Sequence, residues 1–192
     1  FLIYERFVQG KASKWAELIQ TLPGKSRSNP LFFGEADMQG LAGLLSESLV
    51  LNKRQQVAEL WRKLSEKLSK NFPSLFPKTL FTAERFCWAM SIVDSRVHGV
   101  EFRDSGGKMH TSPGLVPMID MFNYGGVDGL VPNVKSETTY PEGQPGGFVV
   151  ARTTSRISKG GELLGEYLLH SKTRSNAGLL LKYGFVPPQN PA

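Results

Sequence analysis

The sequence predicts an α+β fold in which helices come first and strands follow. From about residue 10 to residue 96, apolar side chains recur three and four positions apart, as they do on one face of an α-helix. After residue 96, glycine, proline and β-branched residues dominate, and short stretches alternate between apolar and polar side chains, which is typical of strands. We therefore expect a helical region over 1–96 and a mostly β region over 97–192.

Two longer helices and two shorter ones are predicted in the first half. Residues 53–70 form an amphipathic pattern, with charged residues on the face opposite the leucines. The apolar run FCWAMSIVDSR predicts a second, more buried helix that begins near Thr82 and ends near Arg96. Two prolines break the chain between these helices. Upstream, we expect shorter helices over 13–20 and 36–49.

The second half is predicted to contain strands separated by turns, with one helix near its end. The glycine-rich stretch 104–114 has the composition of a turn. Strands are expected over 133–140 and 147–154, and the stretch 157–167 combines a Gly-Gly turn with another short strand. The segment NAGLLLKY, at 176–183, predicts a helix that ends at the glycine that follows it.

Composition places the chain among folded, soluble, intracellular proteins. Of the 192 residues, 40% are hydrophobic and 21% are charged, and no run of about 18 apolar residues predicts a membrane span. The net charge of +6 favours acidic partners or nucleic acid, although a solvated helix face explains the densest basic stretch better. The single cysteine, Cys87, lies in an apolar run and is interpreted as a small buried hydrophobe rather than a nucleophile.

Three segments occurring in this order, WAMSIVDSR, LVPMIDMFNYGG and SNAGLLLKYGFVP, resemble the Rubisco-methyltransferase branch of the SET-domain protein methyltransferases. The opening residues also resemble the start of the helical insert that this branch carries. The resemblance implies a mostly-β SET core with a pseudoknot over 97–192, preceded by the helical insert in 1–96. We expect the glycine-rich start of the SET domain and the helical substrate-binding domain to lie outside these residues. The implied reaction is methyl transfer from S-adenosylmethionine to a protein side chain, usually lysine.

The resemblance assigns roles to particular residues. Tyr183 matches the catalytic tyrosine, and Tyr167 is expected to form part of the aromatic channel for the substrate lysine. Arg96 is expected to pair with the carboxylate of the cofactor through its bidentate fork. Asn123 matches the residue that binds the amino-acid end of the cofactor, and Asp120 matches the acidic residue of the same segment. We expect the segment around Asn123 and the helix end bearing Tyr183 to line one cleft.

One residue departs from the pattern of this family. Tyr124 stands where the family has a histidine, so backbone contacts to the cofactor can persist whereas a role of the imidazole cannot. The implied chemistry requires neither a metal nor an acid–base pair: aromatic walls, one phenol and a few carbonyl oxygens suffice. The histidines at 98, 110 and 170 lack metal-ligand spacing, and a single cysteine cannot build a zinc flank.

Two other classes of function stay open beside the enzyme. The first is a SET-like subunit with a structural role in a large assembly, such as a plastid transcription complex or a ribonucleoprotein particle. The second, direct nucleic-acid binding, is not favoured because aromatic and basic residues do not interleave on a predicted sheet. For the enzyme, the partner is a protein substrate, with histidine as a second target beside lysine. The compartment, whether plastid, cytoplasm or nucleus, is left open.

Overall fold

A computed structural model of the chain describes residues 1–25, 27–104, 106–125, 130–140, 147–167 and 175–188. The chain divides into two compact units. Unit 1 comprises Phe1–Ser95 and Asn176–Val186, and unit 2 comprises Arg96–Ser175 and Pro187–Ala192. Whether this division corresponds to a helical insert and a SET core stays a prediction. The histidine at position 170 lies outside the described residues.

Helices dominate unit 1. The α-helices are α1 (Ala16–Thr21), α2 (Glu35–Gln39), α3 (Leu45–Asn71), α4 (Ala83–Arg96) and α5 (Asn176–Tyr183). Unit 1 also contains a π-helical segment at Tyr4–Gln9 and short 3-10 turns at Gly10–Ala12 and Pro30–Phe32, and a further 3-10 turn at Ile119–Met121 lies in unit 2. Among the described residues, no helix combines the length and apolar content that crossing a bilayer requires.

The structure confirms the predicted helices α4 and α5 and corrects the region before them. The amphipathic helix begins at Leu45 rather than near residue 53. The single helix predicted over 36–49 is wrong, because α2 ends at Gln39 and α3 starts only after a glycine-containing turn. In that turn Gly43 adopts a φ of +77°, which an α-helix does not accommodate.

The core of unit 1 is an aromatic and aliphatic cluster. Its buried members are Ile3, Leu31, Val57, Phe81 and Phe86. The Trp61 ring packs edge-on against Phe81, with ring centroids 4.9 Å apart. Cys87 is half-buried and packs against this cluster, and burial raises the pKa of its thiol. That it is a packing residue rather than a nucleophile stays a prediction.

Helix α5 is fixed to the rest of unit 1 at its C-terminal end. Leu179 is fully buried, and α5 packs against α3. Gly184 follows the helix with a φ of +77°, and a Cβ there would lie 2.7 Å from the carbonyl oxygen of Ser28. The position therefore requires glycine for its conformation and for the close approach of the two backbones.

Unit 2 contains a hairpin and a small sheet. The strands are β1 (Val97–Arg103), β2 (Met109–Leu115), β3 (Asn123–Tyr124), β4 (Val134–Thr139), β5 (Phe148–Thr153) and β6 (Leu164–Gly165). β1 and β2 pair antiparallel, and the other four strands form a sheet in the order β3-β6-β4-β5. β6 runs parallel to both of its neighbours, whereas β4 and β5 are antiparallel.

The stretch 104–114, predicted as a turn, is mostly a strand. Only its first residues form the hairpin turn, where Asp104 accepts hydrogen bonds from the backbone N–H groups of Gly106 and Lys108. From Met109 onward the chain pairs with β1. The local composition favoured a turn, but the cross-strand ladder satisfies the backbone groups and decides the conformation.

We predict that Phe81→Ala lowers the free energy of unfolding by about 3–5 kcal/mol, because it opens a cavity in the aromatic cluster. Chemical denaturation of the full-length protein measures this loss. The matched control is Phe72→Ala, since Phe72 is 50% exposed, and its effect should stay within about 0.5 kcal/mol. Equal losses in the two variants would contradict the assignment of the core.

Candidate functional site

An ion pair between Arg96 and Asp120 lies at the centre of the predicted site residues in unit 2. Nη1 of Arg96 donates to Oδ2 of Asp120 over 3.1 Å and to the backbone oxygen of Asp120 over 2.9 Å. The Asp120 side chain is 1% exposed and that of Arg96 is 25% exposed. Among the described residues, Oδ1 of Asp120 is buried without a hydrogen-bond partner. The pair therefore retains an unused acceptor.

The backbone around Asp120 is held in an unusual conformation. Met118, which precedes the 3-10 turn, is a non-glycine residue with a φ of +69° and an exposed side chain. Such left-handed conformations cost about 1–3 kcal/mol and occur often at functional sites. The turn buries Ile119 and Asp120 and then releases the chain at Phe122 in an extended conformation. In this conformation the carbonyl group of Phe122 can accept a hydrogen bond from the side chain of Tyr167.

The Tyr167 hydroxyl group donates a hydrogen bond to the backbone oxygen of Phe122 over 3.1 Å. Burial raises the pKa of the Tyr167 phenol, and the nearby charge of Arg96 opposes this shift only in part. The Tyr124 ring lies 5.2 Å from that of Tyr167, centroid to centroid. Tyr167 is therefore a neutral, half-buried phenol whose proton is already donated, and it is not suited to act as a base.

Asn123 makes a contact that the sequence did not indicate. Its Nδ2 donates to Oε1 of Glu162 over 2.6 Å, and both residues are exposed. The backbone of β3 pairs with β6, so that Asn123 lies opposite Leu164 and Tyr124 opposite Gly165. The amide of Asn123 is thus oriented by a carboxylate on the loop before β6.

Sequence reasoning missed Asn133, which connects three parts of the sheet. Its Oδ1 accepts from the N–H of Leu164 over 2.8 Å, and its Nδ2 donates to the carbonyl of Glu162 over 3.0 Å. Its backbone exchanges hydrogen bonds with Leu164 and Thr154. Asn133 lies in a Pro-Asn-Val stretch interpreted only as the start of a strand, and no spacing in the sequence marks it.

A cavity of about 190 Å³ lies beside this cluster within unit 2. Its lining combines four residues without polar side-chain atoms and five with them, and comprises Ile119, Phe122, Val134, Gly165, His98, Lys135, Ser136, Glu166 and Tyr167. The volume is well above that of one water molecule. A small group with an aliphatic part and a polar end matches this lining.

The structure brings five of the six predicted residues into unit 2. Arg96, Asp120 and Tyr167 surround the 3-10 turn, and the two residues of β3 follow it. Tyr183, the sixth, is the last residue of α5 in unit 1, where it is half-buried with its ring 6.2 Å from that of Phe185. The roles of all six residues stay predictions.

Known proteins similar to this chain are lysine methyltransferases. A ribosomal lysine N-methyltransferase of Schizosaccharomyces pombe is 27% identical over 186 residues, which cover 96% of this chain and 30% of the relative. The chloroplastic fructose-bisphosphate aldolase lysine N-methyltransferase of Arabidopsis thaliana is 27% identical over 97% of the chain and 36% of the relative. The chloroplastic Rubisco large-subunit N-methyltransferase of Nicotiana tabacum is 26% identical over 99% and 36%. The chain spans about a third of the length of these relatives. No family model matches it.

Solved structures agree with these relatives. The SET domain of LSMT bound to lysine and AdoHcy superposes with a TM-score of 0.72 at 22% identity, over 98% of this chain and 40% of that one. Rubisco LSMT bound to sinefungin and monomethyllysine gives a TM-score of 0.69 at 24% identity, over 98% and 38%. The chain is similar in sequence to lysine methyltransferases and in structure to the SET domain of LSMT. Its fold is the predicted α+β SET fold.

The similar proteins bear on the classes of function that the sequence left open. Two of these relatives are named as lysine N-methyltransferases and the third as an N-methyltransferase. Neither a structural subunit of a transcription or ribonucleoprotein assembly nor a nucleic-acid-binding module finds support among them. The alternative of a SET-like subunit with only a structural role is therefore not supported.

We predict that the Tyr167 phenol of this SET homologue ionises above its ordinary pKa of 10.0. The unfolded chain loses this proton near the ordinary value, so the stability that the neutral phenol contributes is present below pH 10 and is lost as pH rises through the folded pKa. Absorbance titration of the wild-type protein and of Tyr167→Phe isolates this group in the difference curve. A difference component that titrates at or below pH 10 would contradict the prediction.

Proposed function

We propose that this chain forms part of an S-adenosylmethionine-dependent protein-lysine N-methyltransferase. The observation that carries the proposal is the cluster of Arg96, Asp120 and Tyr167, which combines a buried ion pair with a neutral phenol bound to a backbone carbonyl beside a cavity. These elements are suited to orienting a nucleophile and a methyl donor. The similarity to lysine methyltransferases over nearly the whole chain supports the same reaction.

The residues of unit 2 fit the amino-acid end of S-adenosylmethionine. Both hydrogen bonds that the Arg96 guanidinium donates to described residues use Nη1, so its other N–H groups can bind a carboxylate. The buried Oδ1 of Asp120 is an acceptor that suits an ammonium group or a water molecule bound to one. When bound, the cofactor supplies an activated methyl group. The solved relatives hold AdoHcy and sinefungin.

The substrate amine must be neutral before it can attack. Lysine has a reference pKa near 10.4, so only about one amine in 2,500 is neutral at pH 7. Removal from water and a nearby positive charge both lower that pKa. In unit 2 the half-buried rings of Tyr124 and Tyr167 exclude water, and the Arg96 charge is close enough to influence the Tyr167 phenol. These groups favour the neutral amine over the ammonium ion.

Tyr183 is the catalytic residue in this proposal. Its hydroxyl group fixes the amine relative to the methyl group, as the resemblance to the family implies. The end of α5 is suited to this task, because it is closed by Gly184 against the backbone of Ser28 and leaves the tyrosine half-buried. Orientation of the reacting atoms contributes much of the rate of such transfers.

We predict that the full-length protein transfers labelled methyl groups from S-adenosylmethionine to lysine in a protein substrate. Ribosomes, fructose-bisphosphate aldolase and Rubisco form the first panel, since the relatives are named for these targets. Tyr183→Phe should lower kcat by about 100-fold, because a positioning contact at the reacting centre is lost. Its affinity for the cofactor, measured by calorimetry, should stay unchanged. A Tyr183→Phe variant with wild-type kcat contradicts the assigned role, and a protein that binds no cofactor contradicts the activity.

We further predict that Arg96→Lys weakens binding of S-adenosylmethionine by about tenfold, the equivalent of 1.4 kcal/mol. Lysine keeps the charge that Asp120 requires but loses the planar fork that grips a carboxylate. Isothermal calorimetry measures the change. The matched control is Arg152→Lys, because Arg152 forms an exposed pair with Glu137. If the two variants bound S-adenosylmethionine with equal affinity, Arg96 would not be part of the cofactor site.

A further inference from the structure

Lys53 connects three helices of unit 1. It projects from α3 with a side chain that is only 18% exposed, and its Nζ lies 2.9 Å from Oδ2 of Asp94 on the last turn of α4. The same Nζ donates a hydrogen bond to the backbone oxygen of Leu181 in the last turn of α5. Leu181 lies two residues before Tyr183.

The Lys53 ammonium group lies at the C-terminal turn of α5, the part of the helix whose backbone carbonyls lack partners within the helix. The last four carbonyl groups of a helix have no partner within the helix and carry a partial negative charge. An ammonium ion is attracted by this partial negative charge. When it also donates a hydrogen bond to one of these carbonyls, it stabilises the terminal turn. Because α5 has only eight residues, its own propensity is too small to fix its end, and tertiary contacts must do so.

The end of α5 is held from two directions. On one side Gly184 closes against the backbone of Ser28, and on the other Lys53 holds the Leu181 carbonyl. Asp94 strengthens the contact between Lys53 and the helix end, because a lysine side chain without this partner would lose more rotamer entropy on binding the carbonyl. The carboxylate holds the ammonium ion in place before it reaches the helix end.

We propose that Lys53 is a positioning residue for Tyr183. It acts through the terminal turn of α5, whose orientation determines where the tyrosine hydroxyl lies, and Asp94 orients Lys53 in turn. This inference rests on the proposed function, since it gives Tyr183 the catalytic role. It adds a requirement that the family resemblance does not assign to any residue of α3.

A double-mutant cycle in the full-length protein tests the inference. Lys53→Met keeps the aliphatic stem but removes the charge and the donors. It should lower kcat by about tenfold, since small displacements of a positioning group are costly, and leave KM for both substrates within about twofold. In a Tyr183→Phe background the same change should have almost no further effect on kcat, because coupled residues are not additive. Lys53→Arg, which can pair with Asp94 and donate to the carbonyl, should restore most of the rate.

The control on the same helix is Lys67→Met, because Lys67 is exposed. It should change neither kcat nor the melting temperature. If Lys53→Met does not fold, Asp94→Asn replaces it in the cycle, with an expected loss of about threefold in kcat that again disappears in the Tyr183→Phe background. Equal losses in both backgrounds would show a general structural role and overturn the inference.

A readout without catalysis separates this inference from the proposed function. In protein labelled with 3-fluorotyrosine, the ¹⁹F resonance of Tyr183 is assigned from its absence in Tyr183→Phe. It should shift or broaden in Lys53→Met and stay unchanged in Lys67→Met. An unchanged resonance in Lys53→Met contradicts the inference alone. A displaced resonance in a protein that transfers no methyl group supports the positioning effect and contradicts only the proposed function.

Discussion

The buried pair of Arg96 and Asp120 is the constraint on which the rest of unit 2 depends. Asp120 is almost completely removed from water, and a buried carboxylate that lost its cation would destabilise the fold by about 3–5 kcal/mol. Arg96 also binds the backbone oxygen of Asp120, so it fixes the 3-10 turn as well as the side chain. The 3-10 turn also places the Phe122 carbonyl oxygen, which accepts a hydrogen bond from the Tyr167 hydroxyl group. The Arg96 guanidinium therefore orients the Asp120 carboxylate directly. It also orients the Tyr167 phenol indirectly, through the backbone between Asp120 and Phe122.

The second constraint is the position of β6 between β3 and β4. A two-residue strand has little stability of its own, since only a few ladder hydrogen bonds hold it. Asn133 compensates by binding the backbone on both sides of Leu163, through the N–H of Leu164 and the carbonyl of Glu162. Because β6 ends two residues before Tyr167, the side chain of Asn133 also affects the position of that tyrosine. A polar side chain here replaces the backbone partners that a longer strand would have.

The sequence predicts well where structure is local and poorly where it depends on distant partners. Helices α4 and α5 could be predicted because their signals are local: an apolar run marks α4, and an apolar run followed by Gly184 marks α5. The strand from Met109 could not, because its conformation depends on pairing with β1 and its own residues favour a turn. The Arg96–Asp120 contact spans 24 positions, so only the resemblance to a family pointed to the two residues together, and it did not predict that they would bind each other.

Similar reasoning applies to Asn123 and Tyr124. A turn-forming Asn before a Tyr indicated a place for ligand contacts, but the partner of the asparagine, Glu162, is 39 positions away and no pattern connects them. The substitution of histidine by Tyr124 is easier to understand from the structure. Its backbone pairs with Gly165 in the sheet, and its ring packs against Tyr167. The position is thus defined by main-chain geometry, which any residue of suitable size can supply.

This replacement has a chemical consequence for the proposed reaction. An imidazole titrates near neutral pH and can carry a positive charge, whereas a phenol is neutral there. The position therefore carries a second phenol ring beside Tyr167, and burial keeps the Tyr167 phenol neutral beyond its ordinary pKa. Neutral phenols offer no full negative charge to hold a lysine as its ammonium ion. An environment of this kind favours the uncharged amine, which is the form that can accept a methyl group.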